Sequence, residues 1–158
     1  CIVLAPDWHP QDHLSLAYNH QCAATFSSTE IPYGTQVLWP AHCIQGSDGA
    51  AFHADLNVTR PYMILRKGCN PAIDSYSAVV EHGRPTPTGV EGYRRTRGIS
   101  GLVLVGLATD FCVNYSAVDA ANLGFAVTVR TDLCRGIDLG GSMDAARAGM
   151  TAAGVTVA

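Results

Sequence analysis

The sequence has few charged residues, no long apolar segment and no regularly spaced cysteine pairs. Asp, Glu, Lys and Arg make up only 15% of its 158 residues, and the formal net charge is −3. This composition argues against the basic surface of a nucleic-acid-binding protein and against a polybasic membrane anchor. No apolar run approaches the ~20 residues that a membrane-spanning helix needs. The sequence therefore predicts a protein that binds neither nucleic acid nor membrane.

Cysteine usage indicates the redox environment. The six cysteines are scattered along the chain: Cys1, Cys22, Cys43, Cys69, Cys112 and Cys134. In a chain of this length, such scatter favours reduced thiols and a cytoplasmic protein. The alternative is a secreted protein with disulfides.

Short apolar runs alternate with helical patterns along the chain. Hydrophobic residues make up 47% of the sequence, enough for one domain with a substantial core, which we place at residues 1–158. The predicted strands are 1–5, 61–67, 100–108, 125–132 and a last one beginning at Val155, and the predicted helices are 89–97, 112–124 and 142–154, with Ser142 as an N-cap. Residues 7–60 are irregular and are predicted to form a long functional loop. This alternation predicts a three-layer α/β/α fold with a parallel, doubly wound sheet.

Cys112 stands where a predicted strand meets a predicted helix. Unpaired N–H groups and a positive partial charge at a helix N-terminus favour a thiolate. The same donors can stabilise the oxyanion that forms when a thiolate attacks a carbonyl. The alternative is a small buried cysteine that packs like alanine.

The segment "DWHPQDH" offers metal-ligand side chains directly after the first strand. Asp7 and His9 lie two residues apart, so an extended chain points both to one side. His13 and His42 belong to the same irregular stretch, and an Asp/His/His set suits Zn²⁺, Fe²⁺ or Mn²⁺. The alternative is a loop with solvated histidines and an aspartate that caps a turn.

Lys67 ends a predicted strand, as Asp7 and Cys112 follow theirs. Since the carboxyl ends of parallel strands share one edge of a sheet, these three side chains are expected to converge there. An ammonium at that edge would lower a thiol pKa or take part in proton transfer. The alternative is a lysine that points to solvent.

Four segments in this order closely resemble the nicotinamidase (pyrazinamidase) branch of the isochorismatase-like cysteine hydrolases: "DWHPQDHLS", "WPAHCIQGSDGAAFH", "KGCNPAIDSYSA" and "GLATDFCVNYSAVDA". The resemblance covers nearly the whole chain. It implies deamidation of nicotinamide to nicotinic acid and ammonia through a cysteine thioester, a reaction of NAD salvage. It also implies one divalent metal ion as cofactor, zinc, iron or manganese.

The resemblance assigns roles to individual residues. Cys112 matches the nucleophile and Lys67 the lysine of a catalytic triad. The backbone N–H groups of Ala108 and Cys112 match the oxyanion hole, with a cis peptide bond expected between Leu107 and Ala108. Asp7, His9 and His42 match the metal ligands. His13 matches a fourth histidine that ligates in some members only. Trp39 and Tyr76 match the aromatic residues that flank the substrate ring. Apart from the resemblance, Asp74 and Ser77 are expected to brace the site near Lys67 through hydrogen bonds.

One element of the family pattern is not found in this sequence. The family places a catalytic aspartate on its first strand, in a "D-x-Q-x-D-F" motif, and Cys1 aligns with the second strand. The chain is therefore expected to lack the first strand and helix of the fold, and the working protein to have an upstream segment. Without that general base, activity would fall by orders of magnitude.

Two other functions remain open at this point. One is a related amidase of the same fold that acts on another small amide or ureido substrate, although such relatives generally lack the metal. The other is a truncated, non-catalytic remnant that binds a small molecule. The sequence leaves homo-oligomer formation open.

Overall fold

A computed structural model describes residues 1–82 and 86–158 of the chain. The backbone divides into two compact units, Cys1–Ser75 and Tyr76–Ala158. Among the described residues, the first unit contains one parallel strand pair and the second contains two, as the alternating sequence pattern predicts. Within the described ranges, no helix is long and apolar enough to cross a membrane. A single domain over residues 1–158 stays a prediction.

The first unit contains a short parallel strand pair. Strand β1 (Val3–Leu4) pairs with a later strand, Met63–Ile64, which is β4 in chain order. Both are shorter than the predicted strands 1–5 and 61–67. The pairing resumes beyond them as an isolated parallel bridge between Asp7 and Lys67, so the two segments still run side by side at that point.

A hairpin lies inside the stretch that the sequence predicts to be a loop. Strands β2 (Ser28–Ile31) and β3 (Gly34–Val37) pair antiparallel through a two-residue connection. This hairpin is absent from the predicted elements because each of its strands has only four residues. Its alternation is also weak, since the inward position of β3 is the polar Gln36, which is buried.

The second unit contains a three-stranded parallel sheet, with an α-helix before its first strand and another between each strand and the next. The strands β5 (Gly101–Leu107), β6 (Ala126–Arg135) and β7 (Thr156–Val157) lie in that order. The helices are α1 (Val90–Thr96), α2 (Asn114–Asn122) and α3 (Ser142–Ala152). A buried apolar cluster joins α2 and α3 to β6 and includes Ala117, Ala120, Val127, Val129, Ala146 and Met150. Each fully buried side chain of valine or methionine size contributes about 1.5–3 kcal/mol.

The prediction that Ser142 caps helix α3 is wrong. Gly141 occupies the N-cap position in a left-handed conformation (φ 86°), and Ser142 is the first helical residue. The Ser142 hydroxyl donates instead to the carboxylate of Asp110. Since a hydrogen bond to an ionised acceptor is stronger than a neutral one, this long-range contact decides where the hydroxyl points.

Candidate functional site

The pairing of β1 and β4 brings Asp7 and Lys67 together. Beyond the strand ends, the Trp8 N–H donates to the Lys67 carbonyl (2.9 Å) and the Lys67 N–H to the Pro6 carbonyl (3.0 Å). Lys67 is buried, with 5% of its surface exposed, and its Nζ donates to the Asp7 carboxylate and to the Ser75 carbonyl. The buried ammonium therefore has a charged partner and a neutral one, and it does not point to solvent.

The structure brings the three predicted metal ligands of the first unit together. One ligand atom from each of Asp7, His9 and His42 lies within 4.8 Å of the other two. The His9 Nδ1 donates to the Gly68 carbonyl (3.0 Å), and the His42 Nδ1 donates to the Pro40 carbonyl (2.9 Å). A carbonyl only accepts, so in each neutral ring the Nε2 atom carries the lone pair that a metal needs.

Burial keeps the His9 ring neutral. It lowers the pKa of His9 to about 4, against the opposing influence of the Asp7 carboxylate. The same cause lowers the pKa of His13. Neutral imidazole is the form that binds a metal ion, so both rings are ready to ligate at ordinary pH.

Gly68 allows His9 to lie where it does. Its φ of +66° is in the left-handed region, and a Cβ placed on it would lie 2.4 Å from His9 Cε1 and 2.6 Å from His9 Nδ1. Only glycine combines this conformation with the close approach of the ring. The glycine after Lys67 is thus part of the site.

Trp39 lies beside His42, one of the three predicted ligands. Its indole is buried and its ring centroid lies 6.4 Å from that of His42 and 5.9 Å from that of Phe26. The Trp39 backbone is fixed by two hydrogen bonds, from its N–H to the Ser15 carbonyl (2.7 Å) and from the Ala17 N–H to its carbonyl (2.8 Å). These contacts place the buried indole beside His42, a candidate ligand.

His13 lies in a different set from the one that the resemblance implies. It is grouped with His9 and Asp74, again with ligand atoms within 4.8 Å of one another. The Asp74 carboxylate accepts hydrogen bonds from the Gln36 side chain (2.7 Å) and the Ser75 N–H (2.8 Å), and the Asp74 N–H donates to the Tyr33 hydroxyl (2.9 Å). Asp74 is thus tied to the hairpin of β2 and β3, and its carboxylate lies beside the two histidines. Its role in bracing the site near Lys67 stays a prediction.

Cys112 belongs to the second unit and lies in a π-helical turn, Thr109–Val113, that leads into α2. Its side chain is half-buried. The peptide bond between Leu107 and Ala108 is cis, where the resemblance places a cis bond. The Ala108 carbonyl accepts from the N–H groups of Phe111 (3.1 Å) and Val113 (3.0 Å). The cysteine is therefore held at the beginning of a helix, as its sequence context predicts.

Asp110 anchors this turn, a role that the sequence did not predict. Its carboxylate accepts from the N–H groups of Ile137 (3.0 Å) and Asp138 (2.8 Å) and from the Ser142 hydroxyl. Burial alone would raise the pKa of Asp110, but these hydrogen bonds outweigh it and hold the pKa below its usual value. The aspartate thus fixes the loop between β6 and α3 to the turn that carries Cys112.

Tyr76 packs against two aromatic side chains, Phe111 and Tyr115, which flank Cys112 in the sequence. Its ring centroid is 5.6 Å from that of Phe111 and 5.1 Å from that of Tyr115, and it also contacts His82. Ser116 accepts from the Ala78 N–H (2.9 Å) and donates to the Cys112 carbonyl (2.6 Å). These contacts join the start of the second unit to the cysteine turn.

Comparison with known proteins places the chain in a family. The isochorismatase domain pattern matches residues 18–158. A nicotinamidase of Acinetobacter baylyi is 46% identical over 98% of this chain and 72% of its own length, and one of Escherichia coli is 38% identical over 99% and 73%.

Solved structures agree with these sequence matches. A nicotinamidase/pyrazinamidase of Acinetobacter baumanii superposes with a TM-score of 0.96 at 49% identity, covering 98% of this chain and 75% of that one. PnC1 of L. infantum in complex with nicotinate gives 0.83 at 35% identity (99% and 70%), and a pyrazinamidase of Pyrococcus horikoshii in complex with zinc gives 0.75 at 27% (99% and 74%). The α/β fold predicted from the sequence is confirmed, and the chain belongs to the isochorismatase family.

Proposed function

We propose that the protein carrying this chain hydrolyses nicotinamide to nicotinic acid and ammonia. It is then a hydrolase of linear amide C–N bonds, and its product feeds NAD salvage. Two relatives named nicotinamidase, at 46% and 38% identity over nearly the whole chain, support this activity. The nicotinate bound by the L. infantum relative supports a pyridine carboxylate or carboxamide as the ligand. The cytoplasm is the location predicted from cysteine usage.

The observation that carries the proposal is the set of metal-ligand side chains in the first unit, with the indole of Trp39 beside it. Asp7, His9 and His42 converge within 4.8 Å, and Trp39 lies against His42. One carboxylate and two imidazole nitrogens fit a divalent ion such as Zn²⁺, Fe²⁺ or Mn²⁺ and leave positions open for other ligands. An ion bound there would supply a Lewis acid able to hold a pyridine nitrogen.

We assign the covalent chemistry to Cys112. The general base predicted on the family's first strand takes the thiol proton, and the sulfur forms a bond to the carboxamide carbon while the carbonyl electron pair moves onto oxygen. That pair returns as the C–N bond breaks, and the nitrogen leaves as ammonia with the transferred proton. Water then cleaves the thioester, which gives nicotinic acid and restores the thiol.

The other residues position or stabilise the reacting groups in this proposal. The N–H groups of Ala108 and Cys112 hold the oxyanion, and removal of one such donor typically costs about 2.7–4 kcal/mol. Lys67 is the triad lysine and supplies a buried positive charge. Trp39 and Tyr76 flank the substrate ring.

The test is ammonia release from nicotinamide by the metal-loaded protein. We expect Cys112→Ala to abolish release, because no other group replaces the sulfur nucleophile. Cys22→Ala is the matched control, since Cys22 is an exposed free cysteine of the first unit, and it should keep full turnover. Ammonia release by Cys112→Ala at the rate of an active Cys22→Ala control would remove Cys112 from the mechanism.

Substrate choice separates the proposed function from the two alternatives. A related amidase would hydrolyse a small ureido or other amide substrate and leave nicotinamide intact. A non-catalytic remnant would bind nicotinamide without releasing ammonia. Metal analysis adds a second criterion, because less than about a tenth of an ion per chain counts against the nicotinamidase assignment.

A further inference from the structure

His9, His13 and Asp74 form a second set of potential metal ligands in the first unit. The exposed fractions of their surfaces are 3%, 0% and 2%, and their ligand atoms lie within 4.8 Å of one another. A tetrahedral ion with bonds of about 2.0–2.1 Å separates its ligand atoms by roughly 3.4 Å. Small side-chain adjustments would therefore close this set around an ion.

The His13 ring has an unsatisfied nitrogen in this buried place. Its Nδ1 lies 2.8 Å from the Ser15 hydroxyl, to which it can donate, and 3.3 Å from the Ser15 N–H, from which it can only accept. Within the described part of the chain, its Nε2 has no hydrogen-bond partner, although the Ile73 carbonyl lies near the ring. A buried polar atom without a partner is costly. In the tautomer whose Nδ1–H donates to the Ser15 hydroxyl, Nε2 carries the lone pair, and a bound cation would satisfy it.

Asp74 brings a negative charge to the same place. Its two oxygens accept from amide groups, the Gln36 side chain and the Ser75 backbone, and both donors are neutral. Each oxygen keeps a lone pair for a further partner. A buried carboxylate with neutral partners is stabilised by a dication, and the two hydrogen bonds already hold it facing the histidines.

His9 is common to both sets, and it can serve only one ion at a time. Its Nδ1 donates to the Gly68 carbonyl, so Nε2 carries the single lone pair of the neutral ring. The two sets also differ in charge, because Asp7 is paired with the Lys67 ammonium while Asp74 is held by amides. An ion held by the buried set would leave the Asp7–Lys67 pair intact.

We propose that His9, His13 and Asp74 form a second position for a divalent transition-metal ion, which excludes simultaneous occupation of the Asp7–His9–His42 position. The chain then holds one ion that exchanges between a fully buried position and a partly exposed one. This inference does not rest on the proposed reaction, because it concerns metal binding alone. It differs from a four-ligand site, in which His13 would join Asp7, His9 and His42 around one ion.

The experiment measures Zn²⁺ binding to chelator-stripped protein by titration calorimetry. Wild type should take up one ion per chain. His42→Ala should still take up one ion, and the double variant with His42→Ala and Asp74→Asn should bind at least 100-fold more weakly than His42→Ala alone. His53→Ala is the matched control, because that side chain is 81% exposed on a loop, and it should bind like wild type.

A spectroscopic readout keeps the test independent of whether the double variant folds. In His42→Ala labelled with ¹⁵N-histidine, Zn²⁺ should move the NMR shift of His13 Nε2. Binding that leaves this nitrogen unchanged would overturn the proposal, as would failure of His42→Ala to bind at all. Uptake of two ions by wild type would overturn the exclusion of one position by the other.

Discussion

Gly68→Ala tests how far the metal site depends on one missing methyl group. At φ +66° an alanine carries a left-handed penalty of about 1–2 kcal/mol. Its Cβ would lie 2.4 Å from His9 Cε1, so the imidazole must move and lose its hydrogen bond to the Gly68 carbonyl, at a further cost of about 1 kcal/mol. We expect a total loss of about 2–3 kcal/mol in the free energy of unfolding.

The same displacement should weaken metal binding. Loss of the hydrogen bond that orients a ligating histidine typically lowers metal affinity 10–100-fold, or about 1.4–2.7 kcal/mol. Gly46→Ala is the matched control, because Gly46 also has a left-handed φ, +76°, but its added Cβ meets nothing within 4 Å. Gly46→Ala should carry only the backbone penalty.

Calorimetric Zn²⁺ titration and thermal unfolding of both variants measure these two effects separately. Gly68→Ala should bind Zn²⁺ at least tenfold more weakly than Gly46→Ala, and it should unfold at a lower temperature. At about 2–4 °C per kcal/mol, the expected difference in Tm between the two variants is a few degrees. Equal zinc affinities in the two variants would show that the contact between Gly68 and His9 does not shape the site.

Three further predictions concern stability. Asp110→Asn should lower the free energy of unfolding by about 1.5–3 kcal/mol near pH 7, since three donors lose a charged acceptor. Because the pKa of Asp110 is depressed in the folded state, the unfolded chain binds the proton first as the pH falls below about 4. Urea titrations should therefore show that the difference in unfolding free energy between wild type and Asp110→Asn shrinks below that pH. A difference that stays constant from pH 7 to pH 3 contradicts this. Met150→Ala should cost about 2–5 kcal/mol in the same assay, because the side chain is 1% exposed in the core of the second unit, and a cost under 1 kcal/mol would mean that the core closes around the gap. Removal of bound metal with a chelator should lower the Tm, and Zn²⁺ at 100 times its Kd should restore about 2.7 kcal/mol; an unchanged Tm would argue against any metal site in the folded chain.

Strand ends and helix starts carried most of what the sequence could predict. Asp7, Lys67 and Cys112 each follow a short apolar run. In the structure Asp7 forms an ion pair with Lys67. Cys112 lies separately, in the turn that leads into α2. These are local signals, since one apolar run and its last polar residue suffice to locate a candidate. The two-residue spacing of Asp7 and His9 is also a local signal. It predicts that the two side chains point to one side, and their ligand atoms lie within 4.8 Å of each other.

Long-range contacts account for what the sequence analysis missed. Asp110 meets Ile137, Asp138 and Ser142, which lie 27, 28 and 32 residues further along the chain, and nothing near Asp110 announces this contact. The tie between Gln36 and Asp74 spans 38 residues. The hairpin itself left a weak signal, two four-residue runs separated by two residues and closed by Gly34, which a systematic search for short hairpins would find.

The two imidazoles of the candidate metal centre are oriented by main-chain oxygens, those of Gly68 and Pro40. A main-chain oxygen neither titrates nor changes when its residue is replaced, so the ring orientation is independent of acidity and of the chemistry of neighbouring side chains. During evolution, drift in the surrounding side chains would leave the tautomers of both ligands intact. Only changes that bend the peptide path, at a glycine or a proline, would alter them.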